Sequence, residues 1–264
     1  MLHYFSEKKY DQLVKDYLAA ETAYTFLEEL GAGAYGVAYL LEDATSHKKY
    51  ALKRLKTKHQ KKTAILHKFQ QEMQILKELN LPNVPAFITY GEIQGIPFYI
   101  MDYVEGKTFE QVIFEEGQTF SLEQSLQIAK NLLTIIIEFH KKGIVHRDLR
   151  IPNILLKDHS LHIIDFGLAA YIKKGVTREK MDNPKRAENH ISDLYFMGHF
   201  LLFLLYSNYH PTKKKEQSWQ EELQLPDEVI DYIERLLTIR PPFSSAKEAL
   251  QMIPINTHIF KTQT

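Results

Sequence analysis

The chain has 264 residues, enough for one domain of two lobes and too few for three domains, and 44% of them are hydrophobic, enough to bury a full core. Its 33 basic and 33 acidic residues cancel, which removes any whole-protein field favouring nucleic acid. There is no cysteine, which excludes disulfide frameworks, thiolate chemistry and cysteine-based metal sites and suits a reducing cytoplasm. The opening residues MLHYFSEKKYDQ are too polar for a signal peptide, and the longest apolar run, Phe200 to Tyr206, is too short to span a bilayer. No nucleic-acid partner and no membrane insertion are expected.

In chain order the first pattern is helical. Tyr10, Leu13, Val14, Tyr17 and Leu18 recur at helical spacing between residues 6 and 19, with Ser6 placed as N-cap. Such a stripe is too apolar for water, because burial is worth roughly 1.5–3 kcal/mol per side chain. The helix is expected to pack on its own lobe and steady the helix that carries Glu72. The alternative is self-association, with two such helices meeting in an isologous dimer. From Tyr24 to Ile100 the text is strand-like: YTFLEEL, VAYLLED, KYALKRL, PAFITYGEI and IPFYIMDYV. One helical stretch, Thr63 to Leu79, interrupts it. After Gly106 the pattern turns helical, over Leu122–His140, Ile191–Tyr206 and Asp227–Thr238, with two short strands flanking Asp158 to Ser160. The composition shifts most sharply at residues 102 to 106, where a hinge is expected. The predicted class is α+β, one domain over 1–264. It comprises a helical extension (1–22), a small five-stranded lobe with one main helix (23–103) and a larger, mostly helical lobe (104–264).

Between the first two strands stand Gly31, Ala32, Gly33, Ala34, Tyr35 and Gly36, a G-x-G-x-x-G spacing. In a dinucleotide fold this spacing opens a helix and precedes an acidic residue by about twenty positions. Here β-prone VAYLL follows, and no Asp or Glu lies between Asp43 and Glu72. Glycines between two strands instead let backbone N–H groups approach phosphate. Gly106-Lys107-Thr108 has the tail of a P-loop, but Met101 stands where its first glycine belongs. Lys53 lies mid-strand, flanked by Leu52 and Leu55, and suits an ammonium reaching the α/β-phosphates of a nucleotide. Glu72 sits on the helix among Phe69, Met73 and Leu76, where a carboxylate wants a cation, and Lys53 is the natural one. Residues 44–71 hold nine Lys or Arg and no acid. Apart from Lys53 these read as a solvated face, or as a docking patch for an acidic partner.

The stretch IVHRDLRIPNILL, Ile144 to Leu156, followed by IIDFG, Ile163 to Gly167, sets His146, Arg147, Asp148, Asn153 and Asp165 in order between apolar runs. Phosphoryl transfer needs one carboxylate near the attacking hydroxyl, and a carboxylate plus an amide on the magnesium ions that hold the phosphates. Asp148 suits the first role, Asp165 the second, and Asn153 supplies the amide. His146 reads as structural, packing under Phe166.

Taken together, GxGxxG, AxK, the helical Glu, HRDLxxxN and DFG resemble the eukaryotic-like protein kinases of the small, soluble bacterial serine/threonine type, over about residues 24–250. The resemblance implies the bilobal kinase fold and transfer of the ATP γ-phosphoryl to a protein hydroxyl, with Mg2+ or Mn2+. It makes Asp148 the catalytic base, and Lys53, held by Glu72, the group that positions the phosphates. Arg150 stabilises the transferred charge, and Asn153 and Asp165 are the metal ligands. It places Ala51 over the adenine and Leu155 beneath it, with Ala38 where the family usually has valine. Met101 is the gatekeeper, and Asp102 C=O and Val104 N–H meet the adenine edge. Leu76, His146 and Phe166 resemble members of the family's hydrophobic column, and Asp193 resembles the aspartate that anchors the catalytic loop. The implied partners are ATP and a protein substrate.

The chain departs from the family in three ways. Arg150 replaces the usual lysine; it can still bind a transferring phosphate, in bidentate fashion. No APE follows DFG, only 28 positions separate Asp165 from Asp193, and the arginine that pairs with the APE glutamate is missing unless Arg240 is a slipped equivalent. The intervening segment is basic, with Lys173, Lys174, Arg178, Lys180, Lys185 and Arg186. Thr177 is its leading phosphorylation candidate, with Arg147 as receiver, though so short a segment argues against control by that route. Two rival functions stay open: a small-molecule kinase of the same fold, and a nucleotide-binding pseudokinase scaffold.

Overall fold

The computed structural model describes residues 2–173, 183–210 and 217–255, with side chains from residue 7 onward. It falls into two compact units, Met1–Glu105 and Gly106–Thr264. The first contains helix α1 (Leu2–Glu21), strands β1 (Tyr24–Ala32), β2 (Gly36–Asp43) and β3 (Lys49–Leu55), helix α2 (Thr63–Leu79), and strands β4 (Phe87–Ile93) and β5 (Ile96–Asp102). The five strands form one antiparallel sheet, as the sequence predicts, and their order is β1-β2-β3-β5-β4. Both outer strands are irregular. β1 slips register at Phe26/Glu28 and at Glu29/Gly31, and β4 at Phe87/Thr89.

Side chains alternate across a sheet, so register sorts residues by face. Ala38, Lys53 and Tyr99 are paired neighbours and share one face. Helix α2 covers that face, with Phe69 and Glu72 buried and the Phe69 ring 5.4 Å from that of Tyr99. Val37, Arg54 and Phe98 share the other face. There α1 packs, with Tyr10, Val14 and Leu18 buried and Tyr17 edge-on to Phe98 at 5.6 Å. The helix packs on its own lobe as expected, and two other expectations are corrected. The helix starts at Leu2, which puts Ser6 inside it rather than at its N-cap. The sheet stands between α1 and the helix carrying Glu72, so any steadying of that helix passes through the strands. The stripe offered for self-association is also spent within the chain, so a dimer formed through it is not supported.

The second unit carries β6 (Lys107–Thr108), α3 (Leu122–Lys141), β7 (Ile144–Val145), β8 (Ile154–Lys157), β9 (Ser160–Ile163), β10 (Ala170–Tyr171), α4 (His190–Tyr206), α5 (Trp219–Glu222), α6 (Asp227–Leu236) and α7 (Ala246–Gln251). A capping box starts α3: Ser121 accepts from Gln124 N at 3.2 Å, and the Gln124 side chain accepts from Ser121 N at 2.9 Å. Asn189 caps α4 by accepting from Ile191 N. Nearly every side of α4 is buried, which is why its sequence reads as a continuous apolar run. α3 packs on α4 and α7, and α4 on α6. The short pairs β6-β8-β9 and β7-β10 frame the loops between α3 and α4. Among the described residues no helix is long and apolar enough to cross a membrane.

Candidate active site

In the first unit the hairpin from β1 to β2 carries residues 31–36. Gly31 has φ of 154°, a conformation that L side chains rarely adopt. Gly36 pairs with Leu55, and a Cβ there would stand 2.8 Å from the Arg54 carbonyl oxygen. Ala32, Gly33, Ala34 and Tyr35 are exposed. The tip is tethered from outside the hairpin: Lys56 N donates to Tyr35 O at 2.8 Å, and the buried His59 contacts Ala34 O through Nε2 at 3.3 Å.

Lys53 Nζ lies 2.6 Å from Glu72 Oε1, with side chains 17% and 5% exposed, so the pair is largely withdrawn from water. Tyr99 Oη donates to the same carboxylate oxygen at 2.8 Å. The sequence reading missed Tyr99, which shares the face of its neighbour Lys53. Ala38 shares that face too. Ala51 is buried and pairs with Met101 on β5; Asp102 ends that strand and Val104 follows it.

In the second unit the catalytic loop is held from below by Asp193 on α4. Its fully buried carboxylate accepts from Arg147 N at 2.7 Å, from His146 N at 3.1 Å and from His140 Nε2 at 2.9 Å. Burial works against that charge, but the bonds from His140 and the Arg147 backbone outweigh it and hold the pKa below the ordinary carboxylate range. His140 is a second residue the sequence reading missed; its place on the last turn of α3, six residues before His146, was the available signal. The anchor holds Arg147 at φ of 65°, a strained value for a residue with a side chain.

Asp148 is buried. Asn153 Nδ2 donates to its backbone oxygen at 2.9 Å and to Oδ2 at 2.8 Å. Arg150 forks onto the carboxylate, Nε to Oδ1 at 2.6 Å and Nη2 to Oδ2 at 3.0 Å. This hydrogen bonding raises the arginine pKa further. Leu155 is buried on β8. Ile164 N donates to Asn153 O at 3.0 Å, tying the end of β9 to the loop one residue before Asp165. Asp165 is exposed at φ of 60°, while the next side chain, Phe166, is buried with its ring 4.7 Å from that of His146. Hard divalent cations take oxygen donors. Both donor bonds of Asn153 come from its amide nitrogen, which leaves its Oδ1 as the ligand atom, and Asp165 supplies an exposed carboxylate. The two residues fit a magnesium or manganese ion.

Arg147 is already engaged through both terminal nitrogens. It donates to Leu168 O at 3.3 Å and to Arg186 O at 3.0 Å, and lies 3.8 Å from Glu188, which also pairs with Lys173 at 2.5 Å. Arg240 is not the missing buried arginine. It is exposed, lies beyond the end of α6, and is bound to Asp231 and Glu234 on that helix. Lys174, Thr177, Arg178 and Lys180 lie outside the described residues.

His146 is fully buried and neutral by construction. Its Nδ1 accepts from Asp148 N at 3.2 Å while its Nε2 faces Ile164 O at 3.2 Å. Burial lowers its pKa, as it does for His162, His190 and His199. A histidine whose folded pKa is depressed leaves stability intact above the unfolded value near 6.5 and costs stability as pH falls below it. Each such group contributes up to about 1.4 kcal/mol per pH unit in that window. Thermal midpoints should therefore hold between pH 7.5 and about 6.5 and fall between about 6.5 and 5.5, before carboxylates titrate. A midpoint that stays flat over that range would contradict the neutral assignment.

Compared with known proteins, residues 24–252 match the family described as "Protein kinase domain". The chain is 38% identical over 234 residues to "Probable serine/threonine-protein kinase YbdM" of Bacillus subtilis (strain 168), covering 89% of each chain. It is 29% identical over 196 residues to serine/threonine-protein kinase PrkC of the same organism, which covers 69% of this chain but only 30% of PrkC. Among solved structures, the Mycobacterium tuberculosis PknI kinase domain aligns with a TM-score of 0.65 at 20% identity, over 88% of this chain and 94% of that one. At that identity the likeness is one of fold.

Proposed function

The chain belongs to the protein kinase domain family, and from that premise we propose that it transfers the γ-phosphoryl of ATP to a serine or threonine hydroxyl of a protein substrate. The observation that carries this reading is the Asp148–Asn153–Arg150 cluster on its anchored loop. The acceptor oxygen attacks the γ-phosphorus, the bond to the bridging oxygen breaks, ADP departs and Asp148 takes the hydroxyl proton. Asn153 fixes the base from both its backbone and its carboxylate. Arg150, already on that carboxylate, offers a planar cation to the phosphoryl in transit. Lys53, steadied by Glu72, holds the α/β-phosphates, and the backbone of residues 31–36 lies along them. Ala38, Ala51, Met101, Asp102, Val104 and Leu155 bind the adenosine. A divalent ion on Asn153 and Asp165, when bound, neutralises developing phosphate charge. The serine/threonine preference is supported by the kinases it resembles, and a cytoplasmic location by the cysteine-free sequence.

The test is a radiolabelled-ATP assay with generic protein acceptors, beside an Asp148→Asn variant of matching shape. Label should pass to serine or threonine and fall by about a hundredfold or more in the variant. Turnover of ATP onto small hydroxyl compounds alone would assign a small-molecule kinase. Nucleotide binding with no transfer, equal in both proteins, would assign a scaffold.

Control by segment phosphorylation is not expected, because Arg147 is already engaged by two carbonyls and Glu188. Thr177→Ala should keep most activity in the same assay. A large loss, restored by Thr177→Glu, would show a phosphate to be needed there.

A further inference from the structure

Lys53 and Arg54 are consecutive on β3 and therefore project to opposite faces of the sheet. Arg54 is completely buried. Its Nε donates to Tyr39 Oη at 2.6 Å, its Nη1 to Glu7 at 2.7 Å and to Leu55 O at 3.2 Å, and its Nη2 to Asp11 at 2.5 Å. The guanidinium also lies over the rings of Tyr10, at 4.9 Å, and Tyr39, at 5.6 Å. Asp11 receives the Tyr39 hydroxyl as well. Burial opposes the charge, but Tyr39, Glu7 and Asp11 outweigh it and raise the arginine pKa. Two carboxylates one helical turn apart on α1 thus meet one buried cation on β3.

Glu7 does more than pair with it. Its second oxygen accepts from Thr57 N at 2.8 Å and Thr57 Oγ1 at 2.5 Å, where a single helical turn follows β3. α1 therefore holds both the middle of the strand's last half and its exit. A buried arginine stripped of its anions cannot stay where it is, since an uncompensated buried charge is strongly unfavourable. Its relief is to move the backbone of residue 54, and Lys53 shares that peptide.

We propose that Arg54, clamped by Glu7 and Asp11, is a positioning residue that sets Lys53 toward Glu72 and the nucleotide phosphates, so that the N-terminal helix tunes the ATP step from the far side of the sheet. This rests on the phosphate-holding role proposed for Lys53. The clamp touches no substrate. A purely structural ion cluster gives a different expectation: breaking it lowers the melting temperature and leaves the ATP dependence of the folded molecules unchanged.

The test uses the full chain. Arg54→Met, Asp11→Asn and Lys53→Met are compared with the parent by thermal melting and by steady-state kinetics per folded molecule, varying ATP and acceptor separately. Arg54→Met should lower kcat/KM for ATP by about tenfold and leave the acceptor KM unchanged, with a smaller ATP-side loss in Asp11→Asn. Folded Arg54→Met with an unaltered ATP dependence overturns the proposal. If Arg54→Met does not fold, Asp11→Asn decides in the same way, because it keeps the Glu7 pair. Lys53→Met separates the two layers. Full activity there refutes the phosphate role itself, whereas lost activity beside an unaffected clamp variant refutes only the positioning.

Discussion

Asp165→Ala should abolish phosphoryl transfer, by about a thousandfold or more, while the protein stays folded. That factor corresponds to about 4 kcal/mol of transition-state stabilisation, within reach of a lost metal ligand. The side chain is exposed, so no packing is removed, and the neighbouring Phe166 remains buried against His146. One backbone effect must be separated. Asp165 sits at φ of 60°, where alanine costs about 1–2 kcal/mol more than Asp or Asn. Asp165→Asn tolerates that conformation and keeps the shape while removing the charge. Both variants should lose activity, and only the alanine should melt a few degrees lower. Retention of full turnover with magnesium in either folded variant would falsify the ligand assignment.

Asp193→Ala should instead strongly destabilise the fold of its unit. It leaves the N–H groups of His146 and Arg147 and the Nε2 of His140 without their acceptor, where the carboxylate they shared was fully buried. Each buried unpaired group costs about 1–3 kcal/mol, so a total near 4 kcal/mol is expected, a large part of a domain's net stability. For a unit of this size that is a drop of roughly 8–16 °C in thermal midpoint. Asp193→Asn should fall between, because its NH2 must face one of the three donors. A midpoint within two or three degrees of the parent for Asp193→Ala would show that the loop does not depend on this anchor.

The reacting loop was the most legible part of the chain. HRDLxxxN and DFG fix residue order along one strand pair and its flanking turns, so spacing alone brings Asp148 and Asn153 into contact. α2 was readable to its ends, since its apolar positions keep one period from Thr63 to Leu79. What escaped were residues whose burial depends on distant parts of the chain. Arg54 stood among nine basic residues with no acid nearby and read as solvated, although its partners Glu7 and Asp11 lie more than forty positions upstream. Ser6 looked like a cap because capping chemistry is local, yet the helix extends back to Leu2. Tyr99 and His140 do not sit next to their carboxylates in sequence, and only register or helix phase brings them there. Glu188, one of three acids outnumbered in a basic segment, is the counter-charge of Lys173 beside Arg147.

The irregular outer strands of the five-stranded sheet bear on how the protein behaves when crowded. An open sheet edge offers unpaired N–H and C=O groups at a regular spacing, a ready template for the strand of another chain. Here β1 breaks that spacing twice and β4 once, and each bulge twists the strand away from a straight repeat. Neither rim of the sheet can lend a long, flat edge to a neighbour, so the small lobe is guarded against intermolecular strand addition by its own backbone, whatever its surface charge.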